Sequence, residues 1–135
     1  MANAMYGKGR EGFANAAVNW LSDDIRCILI DAADYTLSID THDFLDDIPA
    51  GARVAVSGNL VNKTNVLGVL DADDVTFTSV TGDPSEMLVI YKHTGVEATS
   101  RLLANFDTAV GLPVTPNGGN ITITFDSGVN KIFKL

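Results

Sequence analysis

From Ile25 to the C-terminus the chain runs in short apolar segments, each closed by glycine, proline, asparagine or aspartate. Such punctuation leaves no room for long helices. It favours short strands joined by turns as the way to bury apolar surface. Residues 25–31 form an apolar run suited to a strand buried on both faces. Tyr35-Thr36-Leu37-Ser38-Ile39 alternates with period two, which predicts a half-buried strand. Further strands are expected over 52–57, 60–67, 75–80, 86–92, 101–107, 121–125 and 130–134, with 86–92 at the centre of the core. About eight short antiparallel strands result, a pattern of β-sandwiches and partly closed barrels. The expected fold is therefore mainly β, in one domain spanning 1–135, with one N-terminal helix. A doubly wound α/β fold is disfavoured, because no helices of adequate length alternate with the strands.

The helix is expected over residues 3 to about 17. Phe13, Ala16, Ala17, Trp20 and Leu21 fall on one helical stripe. Gly7, Gly9 and Gly12 oppose it, since each costs about 1 kcal/mol against alanine in a helix interior. Such a helix needs a surface to pack on. Residues 1–21 thus read as an arm docking on the sheet or on a neighbouring subunit, with 1–12 ordering on docking. On this reading, removing 1–12 leaves the β core folded. Met5, Tyr6, Lys8, Arg10 and Phe13 are the candidate partner surface. A second, shorter helical turn is expected over Thr41–Ile48, capped by Asp40 or Thr41 and stopped by Pro49.

Charge narrows the partners. Seventeen acidic residues face nine basic ones, for a net charge of −8. No cluster of lysine and arginine offers a footprint for phosphates, so nucleic acid and anionic membrane surfaces are not expected partners. The single cysteine, Cys27, can form no intrachain disulfide and reads as a buried small hydrophobe. Residues 1–13 lack the apolar segment of a secretory signal, and no apolar run approaches a membrane span. Folding in a cytoplasm is expected.

The chemical motifs are weak. Asp71-Ala72-Asp73-Asp74 lacks the central glycine and distal glutamate of a calcium loop. Asp43, Asp46 and Asp47 form another acidic turn. Both read as solvated turns in which aspartate bonds its own backbone. His42 and His93 have no metal-like spacing partner. Gly7-x-Gly9-x-x-Gly12 matches a dinucleotide fingerprint as text, but no strand or βαβ unit is expected around it. No catalytic residue, cofactor or metal site is expected. Tyr6, Trp20, Tyr35 and Tyr91 could form a carbohydrate platform, although core packing suits most of them better.

Several stretches carry a family resemblance. They are residues 4–13, 30–36, Thr41-His42-Asp43-Phe44-Leu45-Asp46-Asp47-Ile48-Pro49-Ala50-Gly51-Ala52-Arg53-Val54, 71–77, Leu88-Val89-Ile90-Tyr91-Lys92, and residues 111–119 and 130–135 at the end. Across nearly its whole length the chain resembles small virion structural proteins of tailed bacteriophages. The resemblance implies a virion component made in the bacterial cytoplasm. The leading role it implies is capsid decoration, or cement: binding the outside of the head and bridging major capsid subunits, often as trimers. The implied partners are the major capsid protein and further copies of the chain. A tail or head–tail connector component is the alternative role. A sugar-binding module on the virion surface is the third.

Overall fold

The computed structural model describes residues 3–135. Among the described residues the fold is mainly β, with ten strands in three antiparallel sheets and one α-helix, in a sandwich-like arrangement that does not close into a barrel. In chain order the elements are β1 (Ala4–Met5), α1 (Gly7–Ala14), β2 (Ile25–Ile30), β3 (Arg53–Val56), β4 (Thr64–Val66), β5 (Val69–Asp71), β6 (Val75–Phe77), β7 (Met87–Lys92), β8 (Leu102–Phe106), β9 (Ile121–Ile123) and β10 (Phe133–Lys134). The main sheet runs β1-β8-β7-β2-β3. A second sheet runs β10-β5-β4, and β6 pairs with β9.

Strands β2 and β7 form the centre, paired from Ile25↔Lys92 to Ile30↔Met87. Their side chains alternate between two apolar layers. Ile25, Cys27 and Leu29, with Leu88 and Ile90, face the two smaller sheets and meet Leu70, Phe77, Ile123 and Phe133. Ile28 and Ile30, with Val89 and Tyr91, face the other way and are covered by Tyr6, Tyr35, Leu45 and Ile48. Fully burying each such aliphatic side chain contributes about 1.5–3 kcal/mol, so both covers are energetically required. A bulge in β8 makes Leu103 an extra residue between Ala104, opposite Ile90, and Leu102, opposite Tyr91. Leu103 and Ala104 therefore both face the first layer, while Leu102 faces the second.

The N-terminal segment differs from its expectation. Residues 4–5 form an edge strand on β8, with Met5↔Ala104, and the Tyr6 N–H donates to the Leu103 carbonyl at 2.9 Å. Tyr6 is fully buried and Met5 is buried. The segment is part of the core, not an arm, as far as the described residues reach; positions 1 and 2 lie outside them. The helix is Gly7–Ala14, not 3–17. It ends in a Schellman motif, with Ala17 N–H bonded to Gly12 O at 2.8 Å and Ala16 N–H to Phe13 O at 3.2 Å. Ala16 sits at φ 60, the left-handed position usually taken by glycine, so the stop carried no glycine signal. The Phe13–Leu21 stripe is consequently not helical beyond Phe13.

Two glycines that seemed to oppose the helix explain its position. A Cβ on Gly9 would lie 2.7 Å from the Leu102 carbonyl oxygen, and one on Gly12 would lie 2.4 Å from Arg101 Cδ. Gly9 lets the helix backbone lie against the backbone of β8, and Gly12 leaves room for the side chains of Arg101 and Val18. The Gly7-x-Gly9-x-x-Gly12 pattern is thus a packing device. A two-residue strand does precede it, but the main sheet offers no parallel βαβ crossover.

Other expectations shift for local reasons. Residues 35–38 join no sheet and Ile39 lies in a turn; Tyr35, Leu37 and Ile39 pack over the second layer, which accounts for the period of two. The helical turn within 41–48 is a single 3-10 turn at Leu45–Asp47. Of the strand expected over 60–67 only 64–66 form one, β4, which turns at Leu67-Gly68 into β5, a strand that was not expected. Cys27 is buried as expected, and burial pushes its thiol above its usual range.

Two outcomes follow in urea unfolding. Gly9→Ala should cost about 1–3 kcal/mol, the usual cost of forcing atoms into a packed contact. Removing residues 1–12 should cost at least about 3 kcal/mol, the scale of emptying a buried aromatic site. A truncated chain as stable as the full one would contradict the role of β1 and Tyr6.

Candidate functional site

The five residues expected as a partner surface do not share one face. Met5 and Tyr6 are inside the protein. Phe13 is half-buried, 6.1 Å from the ring of Phe133, which in turn meets Trp20 edge-on at 5.4 Å. Only Arg10 and the half-exposed Lys8 offer charge to solvent, and Lys8 is paired with Glu11 at 3.0 Å. The Arg10 guanidinium donates to the Met5 carbonyl at 3.4 Å. Tyr6, Trp20, Tyr35 and Tyr91 are all buried, which removes the aromatic platform a sugar-binding surface would need.

Burial instead builds a polar chain across the second layer. The Ser38 N–H donates to His42 Nδ1 at 3.3 Å, so that nitrogen is an acceptor. The Tyr35 hydroxyl donates to the same nitrogen at 2.8 Å. Tyr6 and Tyr35 hydroxyls lie 2.9 Å apart, and with Tyr35 donating onward, Tyr6 donates to Tyr35. Buried Asn105 on β8 interacts with the Tyr6 hydroxyl. The chain fastens the 31–48 segment to β1 and β8. Burial, with Tyr35 nearby, raises the Tyr6 phenol far above its usual range, and burial pushes Tyr35 up to about 12. This pairing was not legible from the residues alone, because the partners come from positions that only the fold unites.

Among the described residues two acidic groups assemble: buried Asp31 with exposed Asp34 and Asp83, and half-buried Asp43 and Asp47 with exposed Asp46. Within each, carboxylate oxygens approach within 4.8 Å, a spacing that hard cations accept. In the second group, Asp47 already accepts the Asp43 N–H at 2.8 Å. Burial raises the Asp47 carboxyl, but the hydrogen bonds from the Asp43 and Phe44 N–H groups outweigh it and hold it below the usual range. This local bonding is the solvated-turn chemistry expected of aspartate. The expected Asp71–Asp74 turn is separate from both groups.

The most exposed apolar surface lies where the sequence offered no candidate. At the β4–β5 hairpin Val66 is 64% exposed, Leu67 93% and the neighbouring Val129 89%. These residues line a groove of 380 Å³ that also includes Val69, Asp71 and Lys131. The signal available in the sequence was Leu67-Gly68, a turn with a leucine where asparagine is usual. Among the described residues no helix is long and apolar enough to cross a membrane. No family model matches the chain, and no curated protein matches it.

The polar network gives a stability profile in pH. Asp24 is held low by its hydrogen bonds from Arg26. Asp23 is raised by burial but held lower overall by the Asn19 N–H and Lys92. Carboxyls depressed on folding stabilise above their unfolded values, near pH 4, and lose that contribution as pH falls through the folded ones. Phenols raised on folding stabilise below about pH 10 and lose that contribution as pH rises through the folded values. Urea midpoints should therefore be flat from about pH 5 to 10 and fall on either side. Tyr35→Phe should cost about 1–3 kcal/mol, because it leaves Tyr6 and His42 without their shared partner. A flat response above pH 10 together with a neutral Tyr35→Phe would contradict the network.

Proposed function

We propose that this chain is a non-enzymatic structural protein of a tailed-bacteriophage virion. In this reading it decorates the outer surface of the head and bridges neighbouring major capsid subunits as a cement protein, acting as a homo-oligomer. The observation that carries the outward placement is charge. The net −8 is spread over exposed turns such as those of Asp34, Asp83 and Asp46, and packaged DNA repels an acidic surface. Support for the virion comes from the resemblance over residues 41–54, 88–92 and 111–119.

Cementing requires no reaction. A protein that binds only the assembled shell stabilises that shell by mass action. Repetition on a symmetric lattice makes modest individual contacts sufficient. A sheet buried on both faces suits this task, since the turns can then make contacts without deforming the core.

Quantitative mass spectrometry of purified particles, with labelled standards, tests the reading. The expected copy number is comparable to that of the major capsid protein, and particles lacking the chain should disrupt at lower temperature. A handful of copies per particle would assign it to the tail or the head–tail connector and overturn the cement role.

A further inference from the structure

We propose that a second copy of this chain docks on the outer face of the β4–β5 hairpin, with the two copies related by a two-fold axis. This deepens the self-association named above, yet it concerns the chain alone and does not rest on the capsid reading. The first observation is Leu67. It and Gly68 both lie in the left-handed region, at φ 53 and φ 77, and together turn the hairpin in two residues. Asparagine or glycine suits the first of these positions, whereas leucine is strained there. Leu67 also gains nothing from burial, being 93% exposed. Neither conformation nor packing within the chain favours this residue, and strain of this kind is retained where a surface has a use.

The second observation is what surrounds it. Val66 and Val129, both strongly exposed, line the adjoining 380 Å³ groove, which is large enough to receive an aliphatic side chain. A two-fold axis would place Leu67 of each copy in the groove of the other.

The third observation is charge, and it selects the occupant. The groove carries one carboxylate, Asp71, and one ammonium, Lys131. Among the described residues neither side chain makes an ion pair or hydrogen bond. A groove of one sign would call for a partner of the opposite sign. A groove with one unpaired charge of each sign complements itself: on a two-fold, Lys131 faces the partner subunit's Asp71, and the reverse pair forms by symmetry.

The test is sedimentation of the purified chain over a concentration series up to about 200 μM, where an interface of micromolar Kd is populated. A reversible dimer is expected. Leu67→Asn should weaken it at least about tenfold while leaving the melting temperature of the dilute chain unchanged or higher, because Asn-Gly suits the turn. Asp71→Lys and Lys131→Asp should each abolish the homodimer, and an equimolar mixture of the two should restore a heterodimer. Should either charge variant fail to fold, Leu67→Asn alone decides. A chain monomeric throughout the series, a trimer, or a dimer indifferent to these substitutions would overturn the proposal. A monomeric chain that is still abundant on particles would overturn this interface and leave the cement reading standing.

Discussion

Strands β2 and β7 are apolar on both faces, and a sheet of that kind must be covered twice. Most of the architecture answers this demand. The two small sheets supply one cover, through Leu70, Phe77, Ile123 and Phe133. The other cover contains no sheet at all. It is a length of irregular chain, residues 31–52, whose Tyr35, Leu45 and Ile48 pack on Ile28, Ile30 and Val89. Irregular chain brings polar groups with it, and these need partners when buried. The Tyr6–Tyr35–His42 hydrogen bonds meet that need for this cover.

The N-terminal segment acquires its role from the same constraint. Tyr6 belongs to the second cover, Met5 to the first layer, and β1 protects the outer edge of β8. The helix that follows contributes little apolar surface of its own. Its buried residues are Gly9, which meets the β8 backbone, and Gly12, which makes room for the Arg101 and Val18 side chains, so its contribution is close approach rather than a hydrophobic stripe.

The strands were legible where burial is strongest. β2, β7 and β8 stand close to their expected bounds because continuous apolar runs have few other ways to be buried. Residues 35–39 show how periodicity can mislead: alternate burial produces the pattern, whether or not the backbone enters a ladder. The helix was expected too long because it was placed by the Phe13–Leu21 stripe, of which only Phe13 is helical. Its end was missed because Ala16 took a glycine's conformation. Among the candidate surface residues, Met5 and Tyr6 looked available only because their partners on β8 and near residue 35 are distant in sequence. The exposed hairpin at Leu67 was missed because the strand expected over 60–67 ended at the turn, and the three residues of β5 beyond it were too short to register as a strand of their own.

The resulting protein has a doubly covered sheet, acidic turns and a strongly apolar hairpin end at Leu67. That division suits a binding or assembly role, in which contacts lie at turns and edges and the core only holds them in place. It depends on the N-terminal residues being as firmly held as the central strands. Native-state hydrogen exchange tests this most directly. The amides of Tyr6, Cys27–Ile30 and Leu88–Tyr91 should exchange together, at the rate of global unfolding. A Tyr6 amide that exchanges orders of magnitude faster than those of β2 and β7 would show a loosely attached terminus and contradict the account.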